Sequence, residues 1–175
     1  CIFPWFEKDD FLIWWSPDPR MVLYLDEIKI SKSMRLLMKK NKYEITYNRA
    51  FSEVVKSCAQ VKRFGQSGTW ITPGLMNVYN ILHEQGHAHS VEIWDGTKLV
   101  GGLYGIDIGD IFCGESMFSK ASNSSKIALI YLSKELKKNN YKFIDCQVPT
   151  AHLASLGAKT ISRLSLIHIS EPTRR

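Results

Sequence analysis

Residues 89–110, HSVEIWDGTKLVGGLYGIDIGD, constrain the fold more than any other stretch. Val91 and Ile93 alternate with polar partners, Asp95-Gly96 marks a tight turn, and Leu99 to Ile108 returns as a second strand. IFCGESMF, Ile111 to Phe118, follows at once. The pattern therefore predicts a β-hairpin feeding a third strand. Its last member carries one acid, Glu115, inside an otherwise apolar run.

Helical periods flank this meander. From Ser31, SKSMRLLMKKNK opens on a capping residue and sets Met34, Leu37 and Met38 at helical spacing, with Lys32, Arg35, Lys39 and Lys40 around the remaining surface. YEITYN reads as a strand, and AFSEVVKSCAQV as a second helix with Phe51, Val54, Val55 and Cys58 on one face; RFGQSG reads as a flexible loop. In TWITPGLMNVYNILHEQG, Thr72 can cap a helix, Pro73 suits its first turn and Gly86 can end it in a left-handed conformation. SNSSKIALIYLSKELKKNN predicts a capped helix with Ile127, Ile130, Tyr131 and Leu132 inward and a lysine-rich end that suits the helix dipole. KFIDCQV is a further strand and HLASLGAK a short final helix or turn, while the Trp- and Pro-rich first 28 residues read as loops and short strands. Two helices, a meander, a helix and a strand make an α+β domain.

No apolar run reaches the roughly 20 residues of a membrane span, and four scattered cysteines without a CxxC pair indicate neither a zinc knuckle nor a disulfide framework. A cytoplasmic location is the expectation. The net charge of +6 and pI near 9.1 favour a polyanionic partner. The chain opens on Cys1 rather than Met, so an N-terminal part is expected to be absent. At the other end, LSLIHISEPTR is what a common transposase sequencing adapter gives on translation; residues 164–175 are expected to be an artefact, and the basic bias survives their removal.

HEQGH, His83 to His87, fits the HExxH pattern of zinc peptidases. That chemistry needs both histidines on one face of a continuous helix. Gly86 reads as the helix stop and swings His87 away, so a helix terminus with solvent-facing imidazoles is the expectation. Two acids lie in strands: Glu115, and Asp145 two residues before Gln147. Alternation predicts that Asp145 and Gln147 project together while Ile144 and Cys146 face the other way. A carboxylate in an apolar setting is costly unless paired. The two acids therefore form either a pocket for a cationic substrate group or a structural pair bonded to backbone amides or to an internal Arg or Lys. The Lys32 to Lys40 helix either neutralises phosphates or is a solvated face. Trp5, Trp14, Trp15 and Trp70 either stack on unpaired bases or pack in the core.

Together, FPWF, WWSPDPR, SKSM, GTWIT, LHEQGHAHSVEIW, LVGGLYG, FCGESMFS, IDCQ and HLASLGA, in that order, resemble the bacterial leucyl/phenylalanyl-tRNA-protein transferases from Ile2 to about Arg163. The resemblance implies a GNAT-like main domain at 23–163, preceded by the remnant of a small N-terminal domain at 1–22. It implies transfer of Leu or Phe, less often Met, from aminoacyl-tRNA to proteins beginning with Arg or Lys, marking them for the N-degron pathway. No metal or other cofactor is implied, and a monomer is expected. By position, Asp145 and Gln147 match the family's proposed catalytic pair. Glu115, with Asp145, matches the acids that meet the acceptor. Leu103, Phe112, Met117, Leu129, Leu132 and Ile144 match an aminoacyl pocket, although Leu103 and Leu132 stand where the family often has Met and Phe. Trp5, Trp70 and Tyr79 fall near the terminal adenosine, and Lys32, Arg35, Lys39 and Lys40 in the stretch that meets tRNA. The alternatives are a GNAT-type acyltransferase using acyl-CoA, for which no Gly-rich phosphate loop opens a helix at the required place, and a non-catalytic tRNA-binding module.

Overall fold

The predicted meander lies at the centre of a seven-stranded sheet. A computed structural model describes residues 2–6, 12–61 and 69–170, so the predicted RFGQSG loop lies outside the described residues. In chain order the elements are β1 (Phe3–Phe6), β2 (Leu12–Trp15), β3 (Arg20–Tyr24), α1 (Lys32–Lys39), β4 (Glu44–Tyr47), α2 (Phe51–Ala59), α3 (Pro73–Glu84), β5 (Ala88–Asp95), β6 (Lys98–Ile108), β7 (Ile111–Ser119), α4 (Ser124–Lys138), β8 (Phe143–Gln147), α5 (Ala151–Ala154), β9 (Lys159–Ile161) and α6 (Arg163–Ser170). β1 and β2 pair by themselves, and the large sheet runs β4-β5-β6-β7-β8-β3-β9. Every neighbouring pair in it is antiparallel except β7 and β8. α4 is the crossover between those two strands.

The helices begin where local chemistry directs. Ser31 Oγ accepts from the Met34 N–H and Thr72 Oγ1 from the Leu75 N–H, each satisfying a donor that a free helix end would leave open. α4 departs from expectation. Its cap, Asn123, is left-handed and makes no side-chain cap bond; Ser124 Oγ instead donates to the carbonyls of Val100 and Ala121, tying the helix start to β6.

The two faces of the sheet are covered by different helices. α4 and α1 cover one, where Leu23, Val91, Leu103, Phe112, Ile130 and Ile144 are buried. On the other, α2 and α3 enclose Phe51, Val54, Tyr79, Tyr104 and Phe118. Each such side chain contributes roughly 1.5–3 kcal/mol by leaving water. Because both faces are covered, the polar partner Glu92 is also buried, and it is satisfied by the hydroxyls of Thr46 and Ser90.

β3 spans residue 22 and is hydrogen-bonded on both sides within the large sheet, which therefore includes Arg20. One expectation is corrected. Cys113 is disulfide-bonded, although the scattered cysteines indicate no disulfide framework. The segment expected to derive from an adapter is helical to Ser170, and Leu166 is buried with Val22, Ile111 and Phe143. Among the described residues, no helix is long and apolar enough to cross a membrane.

Candidate active site

β7 and β8 run together for only three residue pairs, ending at Cys113 and Asp145. Beyond that point they part. On the other side of β7 the pairing with β6 steps from Tyr104–Ser116 to Gly105–Gly114, leaving Glu115 as the extra residue of a β-bulge. On β8 the pairing with β3 steps from Val22–Asp145 to Met21–Gln147, leaving Cys146 as the extra residue. Bulges bend a strand and re-aim its side chains. Two of them at the same level turn a parallel seam into an open notch.

Glycine permits the first bulge. A Cβ on Gly105 would stand 2.2 Å from the Cys113 carbonyl oxygen and 2.4 Å from the Phe112 ring. The second bulge ends in a left-handed residue, Gln147, at φ 63°. Together they overturn the expected alternation: Gln147 and its neighbours Ile144 and Cys146 all line the notch, and Asp145 does not. Period-two alternation holds only along an unbroken ladder, and this ladder breaks between Asp145 and Gln147.

The notch opens into a cavity of about 650 Å³. Leu103, Phe112, Met117, Leu129, Leu132 and Ile144, the six residues matched to an aminoacyl pocket, all line it, and so does Trp70. Glu115 and Gln147 meet each other on its wall. Gln147 Nε2 donates to Glu115 Oε1 at 3.1 Å, and the Tyr79 hydroxyl donates to Glu115 Oε2 at 2.8 Å. Burial pushes the Glu115 carboxyl up to about 7, against the opposing pull of those two hydrogen bonds. Burial and the adjacent Glu115 also raise Tyr79, so it remains a donor.

Asp145 is fully buried and paired. Arg20 Nε donates to its Oδ1 at 2.9 Å and Nη2 to its Oδ2 at 2.8 Å. The Gln147 backbone N–H adds a third bond to Oδ1 at 3.0 Å. Sequence reasoning did not single out Arg20, since its partner is 125 residues away and nothing in SPDPR predicts β3 beside β8. Cys146 and His152 were also missed. Both line the cavity; burial raises the Cys146 thiol to about 12 and lowers His152, with Lys126 adding to the latter effect.

The remaining matched positions are spread more widely. Tyr79 is buried beneath Glu115 rather than on the cavity wall. Trp5 lies in β1, and its side chain lies outside the described residues. Trp14 and Trp15 are exposed. Lys32, Arg35, Lys39 and Lys40 are all exposed along α1, and Lys40 shares a second cavity of about 560 Å³ with Lys29 and Lys126. His83 Nδ1 pairs with the Ala88 carbonyl and its ring stacks on Phe51 at 4.2 Å, while Gly86, at φ 81°, ends the helix before His87. Among the described residues no three His, Cys, Asp or Glu side chains are grouped to hold a metal ion.

Known proteins share both the sequence and the fold. Residues 22–170 match the family model described as leucyl/phenylalanyl-tRNA protein transferase. The transferase of that name from Flavobacterium johnsoniae is 55% identical over 168 residues, covering 96% of this chain and 79% of that protein. The one from Shewanella baltica is 51% identical over 173 residues, covering 99% and 73%. Two solved structures share the fold at low identity. L-PGS from Bacillus licheniformis is 14% identical with a TM-score of 0.51, over 78% of this chain and 48% of that one. A GCN5-related glucosamine N-acetyltransferase region of a fungal multi-domain enzyme is 13% identical with a TM-score of 0.51, over 92% and 20%. The α+β sheet is thus of the GCN5-related acetyltransferase (GNAT) type, as expected.

Proposed function

The chain belongs to the leucyl/phenylalanyl-tRNA protein transferase family and moves aminoacyl groups from tRNA to protein, and from that premise we propose how this site selects and joins its substrates. The donor is leucyl- or phenylalanyl-tRNA, less often methionyl-tRNA. Its side chain enters the apolar cavity walled by Leu103, Phe112, Leu129, Leu132 and Ile144, where an elongated side chain fits better than a β-branched one. The acceptor is a protein with an N-terminal Arg or Lys, drawn to the carboxylate at the notch, and its new N-terminal residue marks it for N-degron degradation.

An aminoacyl ester is already activated, so catalysis consists of placing an unprotonated amine against the carbonyl. The amine nitrogen attacks the carbonyl carbon, the bond from that carbon to the ribose oxygen breaks, and one proton leaves the amine. Glu115 receives that proton and returns it to the departing ribose oxygen. A carboxylate near pKa 7 suits the exchange, because a base poised near the working pH both takes and releases a proton readily. Gln147 holds Glu115 in place from across the notch. The aminoacyl end of the tRNA reaches the site past Trp70, while the lysines and Arg35 of α1 bind its phosphates.

The observation that carries this reading is the raised carboxyl of Glu115, hydrogen-bonded to Tyr79 and Gln147 on the wall of an apolar cavity. Its test is transfer of labelled leucine from leucyl-tRNA to a peptide beginning with Arg, beside the N-acetylated peptide and one beginning with Asp. Transfer to the free Arg peptide alone is expected. Equal transfer to all three, or transfer that persists undiminished in Glu115→Gln, would overturn it.

A further inference from the structure

We infer that Arg20 is a positioning residue for the transfer reaction, and that it and Asp145 form a buried brace that aims Gln147 at Glu115, leaving Asp145 no part as a proton acceptor. The inference rests on the reading that Glu115 faces the acceptor amine.

Three observations carry it. Both carboxylate oxygens of Asp145 are engaged by Arg20 in a two-pronged pair, and both side chains have no exposure to solvent. Such a pair is geometrically rigid, because the planar guanidinium matches the carboxylate at two points. Asp145 Oδ1 also accepts the Gln147 N–H, so the carboxylate grips the chain at the residue that turns left-handed. That turn carries the Gln147 side chain across the notch to Glu115. The line of contacts therefore runs from β3 through β8 to β7, joining three strands at the level where the last two part.

The same geometry removes Asp145 from the chemistry. A base must come within hydrogen-bond reach of the proton it takes, and Asp145 is absent from the cavity wall while Gln147 and Glu115 are present on it. Removing a proton from an amine at the notch would require Asp145 to leave Arg20 and expose an unpaired buried guanidinium, a costly state. Glu115 needs no such rearrangement. Arg20 is held from behind as well, its guanidinium lying 5.8 Å from the centre of the Phe3 ring. The first short sheet is thereby tied to the site.

Three variants of the full chain test this, each read as kcat, KM and a pH profile of leucine transfer. Arg20→Met combined with Asp145→Asn removes both charges together and keeps an oxygen for the Gln147 N–H. Transfer is expected to stay within about tenfold of wild type and to keep its acidic limb near pH 7, whereas loss of a positioned base would cost about a hundredfold or more. A folded double variant that loses the limb, or that much rate, overturns the inference. Arg20→Lys keeps a positive charge but not the two-pronged geometry. It is expected to lower kcat about tenfold with the KM for aminoacyl-tRNA unchanged, and Gln147→Ala added to it is expected to lower kcat no further, as for residues acting as one unit. Multiplying losses would overturn the inference even if the first variant does not fold. Glu115→Gln is the control: a limb that survives it refutes the reading of Glu115 itself and not the brace.

Discussion

Replacing Glu115 by Gln should stabilise the protein at alkaline pH while abolishing its activity. The carboxyl is raised from 4.5 to about 7, chiefly because burial penalises its charged form. The native state therefore holds a proton between those values that the unfolded chain has released. The sign follows from that: stability attributable to Glu115 is fully present below about pH 4.5 and falls as pH rises to about 7. At 1.36 kcal/mol for each pH unit, the fall is on the order of 3 kcal/mol, less some relief from residual solvent contact. Glutamine carries no charge and avoids this loss. It cannot accept at both positions as the carboxylate does, so one of the bonds from Tyr79 and Gln147 is sacrificed at about 1 kcal/mol. Above pH 8 the variant should thus be about 2 kcal/mol more stable than wild type. By pH 4.5 the wild type has regained what it lost to ionisation, so the difference should change sign and the variant should be about 1 kcal/mol less stable, the lost hydrogen bond alone remaining. Urea unfolding of both proteins at half-unit steps from pH 4 to 9 measures it. A variant less stable than wild type by the same amount at every pH would show that Glu115 is not held near neutrality by its surroundings. Retained leucine transfer in the same variant would separately remove Glu115 from the reaction.

Tyr79→Phe deletes a hydrogen bond that lowers the Glu115 carboxyl. The acidic limb of the rate profile should move to higher pH, so transfer falls at pH 6.5 and changes little at pH 8.5; an unmoved limb would show that the phenol does not act on Glu115. Arg35→Glu with Lys39→Glu should weaken aminoacyl-tRNA binding and flatten the slope of log affinity against log salt, by up to about 0.9 for each phosphate no longer neutralised, whereas an unchanged slope identifies α1 as a merely solvated face. Gly105→Ala should destabilise the fold by about 1–3 kcal/mol or more, because the new methyl meets the Cys113 carbonyl at 2.2 Å in the sheet that carries the bulge; a neutral result in thermal unfolding would show that β6 gives way easily there. A chain ending at Arg163 should keep full transfer while losing roughly 1.5–3 kcal/mol of stability as the buried Leu166 is removed, and a loss of transfer would assign the tail a role.

Much of this architecture is legible from residue order alone, because its causes are local. Period-two and period-3.6 patterns place the meander and the main helices; Ser31, Thr72, Pro73 and Gly86 punctuate them; Asp95-Gly96 turns the hairpin. Six of the apolar residues that line the cavity also came from the chain as read, through its resemblance to a family. What the tertiary structure decided depends on partners that sequence distance conceals. β3 lies between β8 and β9, far from its neighbours in the chain, so Arg20 meets Asp145 only once the sheet has closed. The bulges at Glu115 and Cys146 arise from the pairing of one strand with another, which no single strand's pattern records. They send Gln147 into the notch and leave Asp145 behind it. The acid inside an apolar strand has the same cause: Glu115 is tolerated because a bulge delivers it to Tyr79 and Gln147, and it stays near neutrality because the same fold buries it.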